Sequence, residues 1–126
     1  MAKDFYDSEL LFRAILPNPV FWKSDGSLSS AAFKIRSGEN GLSVDRQMNR
    51  SIDECIAFIS QTLQGSIVSV SVSDVHTYGA EVVYDPIEGH NEFHSLIIRN
   101  DATKRLTPGQ AKNLASIAQI RYKCDD

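Results

Sequence analysis

The residues able to do chemistry in this chain fall in four places: Arg13, the pair Ser29-Ser30, the pair Asp45-Arg46, and the group Asn91, His94 and Ser95. Arg13 interrupts the apolar run Leu10 to Leu16. A guanidinium inside such a run needs a partner, because an unpaired buried charge is very costly. It either points outward, pairs with Asp45 or Glu54 to fix the fold, or serves as a fork for an anion or phosphate. Ser29 and Ser30 precede Ala31-Ala32-Phe33. Their hydroxyls suit the cap of a short helix, whose open amides would also attract an anion. Asp45-Arg46 follows Leu42-Ser43-Val44, and polar residues at a strand end serve either a site or a turn.

His90 and His94 are four residues apart, a spacing that shares a face only on a helix. With His76 or Glu88 they imitate a zinc set, but no Cys pair or His-Glu-x-x-His pattern supports a metal. His94 enters the apolar stretch Phe93 to Ile98, where it is either a satisfied strand residue or an acid, base or ligand donor. Neither a Gly-x-Ser-x-Gly elbow nor a phosphate-binding Gly-rich loop is present, and Gly38 and Gly41 form no dinucleotide fingerprint. Trp22, beside Phe21, either anchors an irregular segment or offers a partner contact.

Positioning these residues falls to the surrounding elements. Leu10–Leu16, closed by Pro17 and Pro19, predicts a buried strand, although Ser8 could cap a short helix there. Residues 17–28 read as irregular around the turn Asp25-Gly26, residues 29–34 as one helical turn or a tight connector, and residues 37–41 as a loop. Leu42-Ser43-Val44 alternates like a short strand. Ser51-Ile52-Asp53-Glu54 is a capping box, and Ile52, Cys55, Ile56, Ile59 and Leu63 share a helical face, which predicts a helix over 52–64 ended by Gly65.

Ile67 to Val72 alternates, with Val68, Val70 and Val72 facing one way and Ser69, Ser71 and Ser73 the other; this predicts a strand with one buried face. A turn near Tyr78-Gly79 leads to a strand at Ala80–Tyr84. After the stiff turn Asp85-Pro86, another strand follows at Phe93–Ile98, with antiparallel pairing throughout. Thr107-Pro108-Gly109-Gln110 opens a last helix with a small-residue stripe, Ala111, Leu114, Ala115 and Ala118. The expected fold is α+β: one mostly antiparallel sheet with two main helices packed on one side, as a single domain over residues 1–126.

Composition narrows the function classes. The chain has 126 residues, 42% of them hydrophobic and 23% charged, enough for one core without disulfide staples. A net charge of −3 without a basic run argues against a nucleic-acid binder. Cys55 sits on the apolar helical face, and Cys124 in a polar tail; two cysteines make no disulfide scaffold, and a bond between them stays open. The start Met1-Ala2-Lys3-Asp4 lacks an apolar signal core, and no apolar run is long enough to span a bilayer. The expected compartment is the cytoplasm.

Leu11-Phe12-Arg13, Ser29-Ser30-Ala31-Ala32-Phe33, Leu42-Ser43-Val44-Asp45-Arg46 and Asn91-x-x-His94-Ser95 together resemble a family of small bacterial proteins without an assigned activity, over most of residues 10–120. The resemblance implies a bacterial cytoplasmic protein and carries over the residues just quoted. The order of elements is also similar to ADP-ribosyltransferase-like folds, including RES-type toxins. That similarity implies NAD as ligand, with Arg13 on the pyrophosphate, Ser43 in the motif strand and His94 near the nicotinamide, although the Glu-x-Glu motif of that class is missing. The first expectation is therefore a non-catalytic binding module with a protein partner, encoded nearby in an operon or conflict system and needing no cofactor. The alternative is an enzyme acting on NAD or a small nucleotide, which requires Arg13, Ser29, Asp45 and His94 to meet in one pocket.

Overall fold

The computed structural model describes residues 4–35, 39–99 and 105–124. The apolar run before Pro17 forms β1 (Leu10–Ile15), and the alternating segment after Gly41 forms β2 (Leu42–Arg46), two residues longer than its apolar part. Ser51 caps α1 (Ile52–Ser60): its hydroxyl accepts from the Glu54 amide, and the Glu54 carboxylate accepts from the Ser51 amide. The helix stops five residues before Gly65, which instead makes a close passage. Its φ is +116°, and a side chain there would run into the Ile15 carbonyl. Ser30–Phe33 forms a single 3-10 turn, and Pro19–Phe21 another. Of the expected 37–41 loop, residues 37 and 38 lie outside the described residues.

The largest departure from the sequence pattern comes after β3 (Ser66–Ser71). Val72 does not extend the strand; it opens a short helix, α2 (Val72–Thr77). Ser71 accepts from the Asp74 amide at 3.0 Å, and Asp74 accepts from the Ser71 amide at 3.1 Å. This second capping box outcompetes the strand alternation, because Ser and Asp satisfy helix-start amides that a strand would give to a neighbour. Gly79, at φ +80°, then turns the chain into β4 (Ala80–Tyr84). Of the serines expected on a solvated face, Ser69 is buried in β3 at 3% exposed, as is Ser66 at the start of the strand. Ser69 finds its partner on β6 (Gln119–Tyr122), a strand the sequence pattern does not show, whose Arg121 Nε donates to Ser69 Oγ at 2.8 Å; Ser66 Oγ accepts from the Cys124 amide just beyond it at 3.0 Å.

With β5 (His94–Arg99), the strands make one six-stranded antiparallel sheet in the order β4-β5-β2-β1-β3-β6. The class is thus α+β. β1 and β3 are neighbours inside the sheet and each buries apolar side chains on both faces, so both faces need cover. Leu11, Ile15, Val68 and Val70 join one core with Phe33, α2 and the last helix, α3 (Pro108–Ile117), through Leu114 and Ala115. Phe12 and Ile67 join a second core with Cys55 and Ile59 of α1. The two main helices therefore divide the faces between them rather than sharing one side. The alternation of β1 requires this, since Leu11 and Phe12 are both 1% exposed and point opposite ways.

Candidate functional site

The face covered by α1 carries the site. The pairing Phe12↔Asp45↔His94 runs across β1, β2 and β5 and places Asp45 and His94 on the same face as Phe12. Strand alternation adds Ser43 to that face. The β1–β2 ladder consists of Leu11↔Arg46 and Phe12↔Asp45; beyond it the strands part, and Arg13 fills the opening. Arg13 Nε donates to the Ala32 carbonyl and Nη1 to the Ser43 carbonyl, both at 2.8 Å. The expected carboxylate partners are engaged elsewhere, Asp45 with Asn91 and Glu54 with its cap.

Arg13, Ser43, Asp45, Asn91 and His94 line one cavity of about 190 Å³, whose apolar wall includes Phe12, Ile59 and Leu63. Through Asn91 this cavity adjoins a larger groove of about 640 Å³, bounded by Phe58 on α1 and by Pro86–Glu92. That loop is held in shape by its own bonds. Ile87 and Asn91 exchange main-chain hydrogen bonds at 2.8 Å, and Gly89 takes a φ of +77°.

Asp45 is 9% exposed, and its Oδ1 accepts from Asn91 Nδ2 at 2.8 Å. Burial pushes its carboxyl above the ordinary value, outweighing the Asn91 bond and the nearby positive charge of Arg50. His94 is held from both sides. Its Nδ1 lies 2.8 Å from the Asp85 carbonyl oxygen and 3.2 Å from Asp85 Oδ2, and its Nε2 lies 3.2 Å from Ser43 Oγ. A carbonyl only accepts, so Nδ1 carries the proton in the neutral ring and Nε2 turns a lone pair toward the Ser43 hydroxyl.

Four of the candidates named from sequence thus meet in one place: Arg13, Asp45, Asn91 and His94. The other four do not join them. Ser29 Oγ donates to the Val20 carbonyl at 2.6 Å and makes no cap bond, while Ser30 begins the 3-10 turn beside the opposite core. Ser95 is fully buried and donates to the Phe93 carbonyl at 3.3 Å. Arg46 is locked on the other face, with Nε and Nη2 on the Glu9 carboxylate at 2.8 and 2.9 Å and its guanidinium over the Phe5 ring. Burial opposes the Glu9 charge, yet the Arg46 bond and the Met48 amide prevail and hold its carboxyl below the usual range. This pair is part of the fold.

Ser43 is assigned to a site from sequence only through resemblance, in the motif strand of the ADP-ribosyltransferase-like class, and Asp85 enters only as a turn residue. The signal for Ser43 is its alternation with Asp45; Asp85 is brought to His94 by the β4–β5 register, one rung beyond Tyr84↔Ser95, which spacing does not reveal. Among the described residues no group of three or more His, Cys, Asp or Glu is placed to hold a metal ion. His76 pairs with Glu81 at 3.5 Å, away from His94. Cys55 and Cys124 are both free thiols. No described helix is long and apolar enough to cross a membrane. No protein-family model, curated protein or solved structure matches the chain.

Proposed function

We propose that this protein is a bacterial cytoplasmic binding module that takes a segment of a protein partner into the groove between α1 and the 85–93 loop. A cationic side chain of the partner sits against Asp45. Asp45 carries this reading. A carboxylate that is 9% exposed, disfavoured by burial and facing a cavity gains from an outside donor more than a solvated one does. The 190 Å³ arm has room for one side chain, and the 640 Å³ arm takes the adjoining residues along Phe58, Pro86 and Ile87. Glu88 and Glu92 line that groove and add negative charge, which complements a basic segment.

The nucleotide alternative takes second place. Two donors of Arg13 that would grip a pyrophosphate already serve carbonyls. The cavity beside it is also smaller than the roughly 300–1,000 Å³ typical of small-molecule sites. The test is an array of overlapping peptides from the products of adjacent genes, followed by titration of the binders. Peptides with a Lys or Arg beside an apolar residue are expected to bind, and Asp45→Asn to weaken them at least tenfold. An array without binders, or binders indifferent to Asp45→Asn, would overturn the reading.

A further inference from the structure

We infer that Ser43, His94 and Asp85 form a nucleophile, base and orienting group that hydrolyse small carboxylic esters at the mouth of the 190 Å³ cavity. The inference goes beyond partner binding and does not depend on it. Three observations carry it. Ser43 is exposed on its strand, so its hydroxyl can be reached by a substrate. His94 Nε2 stands 3.2 Å from that hydroxyl, within the reach required of a general base. The ring cannot turn away freely, because the Asp85 carbonyl and carboxylate both hold Nδ1 and the His94 side chain is 14% exposed. The order orienting carboxylate, histidine base, hydroxyl is the logic of a serine-histidine-aspartate triad, reached here from a strand rather than from a nucleophile elbow.

The chemistry closes without any further reagent than water. As the Ser43 oxygen bonds to the acyl carbon, Nε2 takes the hydroxyl proton. The tetrahedral oxyanion collapses, the bond to the alcohol oxygen breaks, and the imidazolium returns the proton to the leaving alcohol. Water then attacks the acyl-serine, giving its proton to Nε2, and the acid leaves as Ser43 regains its hydrogen. Arg13 Nη1 donates to the Ser43 carbonyl and fixes the main chain that carries the nucleophile. Phe12, Ile59 and Leu63 give the acyl chain an apolar wall, and the cavity volume restricts it to a few carbons.

The experiment treats the full chain with a fluorophosphonate probe, maps the adduct by mass spectrometry, and measures hydrolysis of p-nitrophenyl acetate and p-nitrophenyl butyrate. One adduct on Ser43 is expected. Ser43→Ala should abolish it and reduce hydrolysis to the uncatalysed rate; His94→Gln should slow hydrolysis at least a hundredfold. Asp85→Asn should cost less than His94→Gln, because the main-chain carbonyl of residue 85 still holds Nδ1. Ser43 is exposed, so Ser43→Ala keeps the fold, which circular dichroism verifies. No adduct, an adduct at another residue, or hydrolysis unchanged in Ser43→Ala would overturn the inference. The probe needs no peptide, so its failure is read separately from failure of the peptide array.

Discussion

At the scale of single residues, Asp45 and Glu9 show how burial acts differently on two carboxylates. Glu9 accepts from Arg46 and from the Met48 amide, and its charge is favoured despite burial. Asp45 has the Asn91 amide, and its charge is disfavoured. The consequence for stability has a definite sign. A carboxyl raised in the folded state binds its proton more tightly than in the unfolded chain. Stability from this group is therefore fully present below the unfolded value of 3.8 and is lost as pH rises through the folded value. Asp45→Asn removes the charge while its amide oxygen can still accept from Asn91. At neutral pH the variant should be more stable than the parent by about 0.5–2 kcal/mol, the usual gain when a costly functional group is neutralised. Melting curves across pH check this: the advantage should shrink to nothing as pH falls below 3.8. An Asn variant less stable than the parent at neutral pH would show that Asp45 serves the fold.

At the scale of elements, the two helices with a clear apolar face and cap, α1 and α3, were legible, as were β1 and β4. The misreading at Val72 has a physical cause: Val68-Ser69-Val70-Ser71-Val72 has the period of a strand, and Ser71-x-x-Asp74 has the chemistry of a helix start. Local hydrogen bonding decided between them. The error propagated, because a hairpin would set β4 beside β3, whereas α2 leads the chain to the far edge of the sheet. β6 is hard to see because its alternation, Ile120 and Tyr122 between Gln119, Arg121 and Lys123, is only four residues long and follows α3 with one residue between. The site was half legible for the same reason. Arg13, Asp45 and His94 announce themselves by interrupting apolar strands, but which of them meet depends on pairing partners distant in sequence. If the cap decides α2, then Ser71→Ala should destabilise the protein by about 1 kcal/mol, and Ser71→Asp by less. Denaturant unfolding of both variants measures the difference; an unchanged midpoint in Ser71→Ala would mean that packing of Val72 and Val75 holds the helix without it.

At the scale of the whole molecule, the sheet is not equally protected along its width. β1 and β3 pair with each other inside the sheet, covered by α1 on one face and by the α2–α3 core on the other. Phe12, Ile67 and Val68 are at most 1% exposed. Toward the β4 edge, cover thins on the α1 side: Leu96 and Ile98 are half-buried and Val83 is 41% exposed. The 85–93 loop is mostly exposed and hangs from that edge. Local opening requires only the contacts of the opening unit to break, so the edge should open at a smaller free energy than the centre. Amides of β4 that pair with β5 are then expected to exchange with deuterium at least ~100-fold faster than those of β1 and β3, a gap of about 3 kcal/mol. This places the groove and the Asp85 contact to His94 at an edge of the sheet that is less stable than its interior. A ligand bound there draws its free energy partly from ordering this edge, and should slow exchange in β4 and the loop while leaving β1 and β3 unchanged. Equal exchange across all six strands would show that the sheet opens as one unit and that the groove is as rigid as the core.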